Sequence, residues 1–150
     1  MLTYLAGMFL TLVCLDMGIK KYVEDVFREN EERETVLDKV VLRKVYNKGF
    51  ALGALKDKPK IIKGASIFAG LGVLAYDARL LQKKGKWLEK LGMMLVSAGA
   101  FSNIYDRLIR GKVIDYIGIQ SRIKFVSKLT ANLADLYVAV GGALVALVKR

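Results

Sequence analysis

Residues 130–150 read TANLADLYVAVGGALVALVKR. From Leu136 to Val148 the stretch carries no charge, and Lys149 and Arg150 follow it. An apolar run closed by basic residues reads as a membrane helix whose end meets lipid head groups. Its other end carries Asp135. A carboxylate at the mouth of a membrane-length segment costs free energy that a structural role rarely justifies, so its default reading is functional. A second acid, Asp115, sits just upstream in GKVIDYIGIQ.

Working outward from this run, three more apolar segments appear. The four run roughly from Leu2 to Ile19, Ile61 to Leu81, Trp87 to Tyr105 and Thr130 to Val148. Their uncharged cores are shorter than the about 20 residues of a full span. Buried helices of a soluble protein are therefore the competing reading. Four such runs in 150 residues, with charges kept near their ends, favour a membrane bundle. The 54% hydrophobic content and mean hydropathy of +0.33 agree. A net charge of +11 would suggest nucleic acid if it stood alone. Beside long apolar runs it fits anionic lipid head groups better. Met1 to Leu15 lacks a basic start, and no small-x-small cleavage site precedes Asp16, so the first run is expected to stay as an uncleaved span.

Alternating helix direction puts Asp16, Asp106 and Asp135 at one face of the bundle, together with the loops carrying Asn47 and Asp115. Asp77 lies at the opposite end, with Arg79 nearby to offset it. Basic clusters occur on both faces, so charge does not set the orientation. Tyr22 to Glu34 reads as an interfacial helix. Thr35 to Tyr46 and Val113 to Gln120 read as strands, which together would form a small sheet above the bundle. Gly92, Gly99, Gly141 and Gly142 suit close helix packing. Trp87 suits a membrane interface, and Cys14 suits apolar packing.

The chain has no histidine, and Cys14 is its single cysteine. Acid–base chemistry near neutral pH therefore falls to carboxylates, and two acids close together can share one proton and divide the roles. The His and Cys ligands common at catalytic zinc are missing, so no metal and no other cofactor is expected.

The polar motifs follow in order: LDMGIK at 15–20, NKGFALG at 47–53, GAFSNIYDR at 99–107, GKVIDYIG at 111–118 and ANLAD at 131–135. This series resembles signal peptidase II, the bacterial lipoprotein signal peptidase, whose pattern is D-x-x-x-K, N-x-G-x-A-x-G, G-A-x-x-N-x-x-D-R, G-x-V-x-D-[FY] and N-x-A-D. Five linked elements are far more specific than any one of them. The resemblance implies an all-α membrane protein of four transmembrane helices with a small extracytoplasmic β element. It would be a single peptidase domain over 1–150, multi-pass in the bacterial cell membrane, with both termini cytoplasmic and its site near the outer leaflet.

The implied activity is aspartic endoproteolysis of prolipoproteins, cutting before a cysteine that carries diacylglycerol. Asp115 and Asp135 fall on the catalytic positions. Asn103, Asp106, Arg107 and Asn132 fall on supporting positions, with Asp16, Lys20, Asn47 and Gly49 further out. The implied partners are the diacylglyceryl-modified signal peptide, membrane lipid and globomycin-type cyclic peptides, with no nucleic acid and a monomeric enzyme. Local chemistry alone offers plainer roles for three of these: Arg107 as an ion-pair partner of Asp106, Asn47 to Gly49 as a turn, and Lys20 as a flanking charge. Met17, Ala131 and the charged stretch 56–60 depart from the family pattern and bear on substrate preference and bilayer packing. An inactive lipoprotein-binding paralogue, a proton-coupled transporter and a soluble nucleic-acid binder are the alternatives.

Overall fold

The computed structural model describes residues 2–29, 31–49, 55 and 57–148. It is mostly helical, with one small antiparallel sheet. The elements are α1 (Leu2–Val26), β1 (Glu32–Glu34), β2 (Val40–Asn47), α2 (Pro59–Leu81), α3 (Trp87–Tyr105), a π-helical turn (Asp106–Arg110), β3 (Val113–Ile119), α4 (Lys124–Ser127), β4 (Thr130–Ala131) and α5 (Leu133–Val148). Helices α1, α2 and α5 all pack on the central α3, with α5 the most extensively.

The α3–α5 contact is close because glycines face each other. A Cβ on Gly99 would lie 2.2 Å from the Ala134 carbonyl oxygen, and one on Gly141 2.4 Å from that of Gly92. Gly92 is less tightly held but still too close for a side chain, its Cβ position being 2.9 Å from the Gly141 oxygen. Gly142 differs from the expectation: nothing lies within 4 Å of its Cβ position, so it takes no part in the packing.

Helices α1 and α2 are each long and apolar enough to cross a membrane, and only 11% of the most apolar window of either is buried within the protein. Their flanks present Tyr4, Leu10, Phe68 and Leu74 to the surroundings. Of the four expected spans, these two meet that test. The apolar α5 covers 16 residues, and α3 contains Glu89 and Lys90. Cys14 is exposed on α1 instead of packed inside the protein.

The first helix runs past its expected end and absorbs the start of the expected interfacial helix. Ile19, Val23 and Phe27 continue its apolar stripe at helical spacing and dock under Ile114 and Tyr116 of β3, forming the core beneath the sheet. Lys44 closes this end of the helix, donating to the carbonyls of Glu24 (2.6 Å) and Phe27 (2.9 Å). The chain then turns, and Glu32–Glu34 forms a strand where a helix was expected.

Strand order is β1-β2-β3-β4, with every neighbouring pair antiparallel. Thr35 to Lys39 forms the hairpin turn, where the Thr35 hydroxyl accepts from Leu37 N–H, and Lys39 takes the left-handed conformation at φ 63°. Between Leu42↔Ile117 and Val45↔Asp115 the β2 register shifts. Two residues of β2 there oppose Tyr116 alone, a bulge of the kind found beside functional sites. The fourth expected span begins as β4 and becomes helical only at Leu133.

Candidate active site

The start of α5 shows how NLAD folds. Asn132 precedes the helix and accepts Asp135 N–H on its side-chain oxygen (2.9 Å), while Asp135 accepts Asn132 N–H (3.1 Å). This is a reciprocal capping box. The two N–H groups between them are satisfied from other elements. Leu133 N–H donates to the Tyr116 hydroxyl (3.0 Å) and Ala134 N–H to Asp16 Oδ1 (3.2 Å). The orphan donors of this helix end are thus used to lock α5 to β3 and α1.

Asp115 enters from β3, where alternation sends Ile114 and Tyr116 into the core and Val113 and Asp115 to the other face. Its Oδ1 accepts from Asn132 Nδ2 (3.0 Å), and its Oδ2 accepts from Asn47 Nδ2 (3.2 Å) and the Thr130 hydroxyl (3.4 Å). Asp135 accepts from Asn103 Nδ2 (2.8 Å). Both carboxylates line one cleft of about 850 Å³, with Arg107, Lys48, Lys128 and Phe125 among its other walls. Burial, followed by the charge of Asp135, pushes the Asp115 carboxyl up to about 6. A carboxyl raised in this way beside a second carboxylate can take up a proton that the two acids then share.

Behind the cleft lies a buried ionic cluster. Lys20 is fully buried and pairs with Asp16 (2.7 Å) and Asp106 (2.8 Å), and Asp106 also pairs with Arg110 (3.2 Å). Burial pushes the Asp106 carboxyl up, against the pull of Lys20. Lys20 also donates to Asn103 Oδ1 (3.0 Å). Because a lysine can only donate, it fixes the Asn103 amide with its NH₂ towards Asp135. Asp16 accepts from Ser102 (2.5 Å) and Tyr116 (2.9 Å). Burial raises the Tyr116 hydroxyl, which stays protonated and donates.

Asp16, Lys20, Asn103, Asp106, Arg107, Asp115, Asn132 and Asp135 therefore meet at one end of the bundle. Lys20 is a buried hub instead of a flanking charge. Asp106 pairs with Lys20 and Arg110, and Arg107 faces the cleft and donates to the Asn103 carbonyl (3.2 Å). Asn47 forms the anticipated turn, accepting Gly49 N–H (2.9 Å), and reaches Asp115 as well. Ala131 lines the cleft. Asp77, at the other end, takes a hydrogen bond from Ser97 (2.5 Å), so its partner lies on α3 and not on its own helix. Ala51, Gly53, Lys56, Lys149 and Arg150 lie outside the described residues.

Sequence reasoning missed Ser102, Thr130 and the hydroxyl of Tyr116. The signal for Ser102 was present: Ala98, Ser102 and Asp106 share one face at a spacing of four.

Residues 8–149 match the family model described as signal peptidase (SPase) II. A lipoprotein signal peptidase of Desulfitobacterium hafniense (strain DSM 10664 / DCB-2) is 30% identical over 127 residues, which are 85% of this chain and 80% of that protein. One of Syntrophomonas wolfei is 31% identical over 138 residues, 92% and 87% of the two chains. Two solved structures, each described as a bacterial membrane enzyme, share the fold. One gives a TM-score of 0.82 at 19% identity, covering 98% of this chain and 92% of that one. The other gives 0.80 at 21%, covering 98% and 88%. The motif series that points to Asp115 and Asp135 is therefore carried on the matching fold, and the chain belongs to the signal peptidase II family, a family of peptidases.

Proposed function

We propose that this protein is an intramembrane aspartic endopeptidase that removes signal peptides from diacylglyceryl-modified prolipoproteins, cutting before the lipidated cysteine. The observation that carries the reading is the sharing of one cleft by Asp115 and Asp135, with Asp115 pushed up to about 6 by burial and by its partner. Such a pair takes up one proton as pH falls towards 6, well above the ordinary carboxylate range. The ionised member takes a proton from water, and the resulting hydroxide adds to the scissile carbonyl carbon. The protonated member hydrogen-bonds the carbonyl oxygen and then protonates the cysteine nitrogen as the C–N bond breaks. Asn103 and Asn132 hold the carboxylates without adding charge, and Arg107 at the cleft wall favours the anionic intermediate.

In this reading the chain is one membrane-embedded peptidase domain of four spans, α1, α2, α3 and α5. Both termini are cytoplasmic, and the sheet and cleft lie at the outer leaflet. Globomycin-type peptides would occupy the cleft and block the dyad. The test is cleavage of a lipidated prolipoprotein in reconstituted membranes. Asp115→Asn and Asp135→Asn should each lower the rate by at least about 10²–10⁴-fold. Unaltered processing by either variant would remove the dyad, and binding without cleavage by the unmodified chain would make it an inactive paralogue.

A further inference from the structure

Strand β2 reaches Asp115 out of step. Leu42 pairs with Ile117, so a regular strand would set Lys44 across from Asp115. An ammonium in that place would hold the carboxyl ionised. The bulge inserts one extra residue, and Val45 stands opposite Asp115 instead. Lys44 turns away to the carbonyls of Glu24 and Phe27. Asp115 is thus left beside a hydrocarbon side chain and not beside a cation.

The same register lays an apolar floor next to the carboxyl. Residues directly opposite across two strands share a face, with Cβ atoms about 4.5–5.5 Å apart. Alternate residues of one strand share a face as well. Val45, opposite Asp115, and Val113, two residues before it, therefore flank the carboxyl, with Asn47 opposite Val113. All four line the cleft. Asn47 is occupied, donating to Asp115 and accepting Gly49 N–H, so the two valines offer apolar surface directly beside the acid. Val113 is only 2% exposed, whereas Val45 is half-buried.

Resting on the lipoprotein peptidase reading, we propose that Val45 is a specificity-determining residue, its side chain limiting the size of the substrate side chain that precedes the lipidated cysteine. A helix engages its own carbonyls, so the scissile bond must be presented in an extended segment. Successive side chains of such a segment point to opposite sides. The cysteine sends its acyl chains into hydrocarbon, and the residue before it therefore points away from the bilayer, towards the sheet. That residue also supplies the scissile carbonyl, which keeps its Cβ two bonds from the carbon the dyad must reach. With Asp115 placed to act on that carbon, Val45 is the adjoining wall, backed by Val113.

The test uses lipidated substrate peptides that differ only in the residue before the cysteine: glycine, alanine or leucine. A damaged sheet slows all of them alike, so the readout is the ratio of kcat/KM values in reconstituted membranes. Val45→Ala should raise the leucine-to-glycine ratio about tenfold, the lower end for a methylene-sized change in an apolar pocket. Val45→Phe should lower the alanine-to-glycine ratio by a similar factor. Val45→Ile adds a single methylene and should act in the same direction, which keeps the test open if the larger ring disturbs the sheet. Ratios unmoved in Val45→Ala and Val45→Ile would overturn the assignment, whatever the rates do. Equal shifts on varying the residue after the cysteine would overturn it too, because they would seat the mature side of the substrate on Val45. An unmodified chain that cleaves none of the peptides would refute the peptidase reading and the subsite with it. Cleavage of the glycine peptide with unmoved ratios would remove the subsite alone.

Discussion

Asp115 works against its own protein. Its folded carboxyl titrates about 6 while its ordinary value is 3.8. Between these values the folded state binds more protons than the unfolded one, so stability falls as pH rises through that window. Asp115→Asn should therefore raise the melting temperature at pH 7 while removing activity, with a gain of up to about 3 kcal/mol. Thermal unfolding in detergent at pH 4 and pH 7 checks the sign: the gain should be small at the lower pH. Asn132→Ala should have the opposite signature, because it removes the cap of α5 and a partner of Asp115 together. A loss of about 1–2 kcal/mol is expected at every pH, accompanied by a fall in kcat. Both acids were legible in the sequence because each interrupts or adjoins an apolar run. The Tyr116 hydroxyl was not, since an aromatic after an acid in a strand does not announce which side-chain atoms it will reach.

At the scale of elements, the glycines divide into those that set a distance and those that do not. Gly99→Ala should destabilise the α3–α5 pair, since its Cβ would meet the Ala134 carbonyl oxygen at 2.2 Å. The backbone that must then move is the first turn of α5, which carries Asp135. Cleavage activity should drop with stability. Gly142→Ala, with open space around it, should be neutral or slightly stabilising in the same assays. Spacing alone could not separate these two cases, because Gly141 and Gly142 are adjacent and only helix phase decides which one faces α3. The strands around Val40 and Val113 were legible from β-branched alternation. The hairpin partner Glu32–Glu34 was not, because a charged triplet has little strand preference of its own and pairs only through the register of β2.

For the whole molecule, the sequence foretold which residues would meet more clearly than how the chain would reach them. Alternating direction brought Asp16, Asp106 and Asp135 to one end, and the structure joins Asp16 and Asp106 through Lys20. It could not foretell that α1 would extend under the sheet, because Val23 and Phe27 read equally well as the apolar face of a helix lying on lipid. The exposed apolar flanks of α1 and α2 predict an integral protein. Alkaline carbonate extraction should leave it with the membrane pellet, and recovery in the supernatant would exclude the four-span topology proposed above.

The burial of Lys20 has a consequence in time. Its near partner Asp16 shares its helix, but Ser102, Asn103 and Asp106 follow more than eighty residues later in synthesis. Asp16 in turn waits for Ala134. A chain still emerging from the ribosome therefore has its ions present and its machinery unbuilt. Asp115 likewise gains its Asn132 partner, and Asp16 its Ala134 partner, only when the first turn of α5 has been made, so the cluster is completed by the last element of the chain to be synthesised.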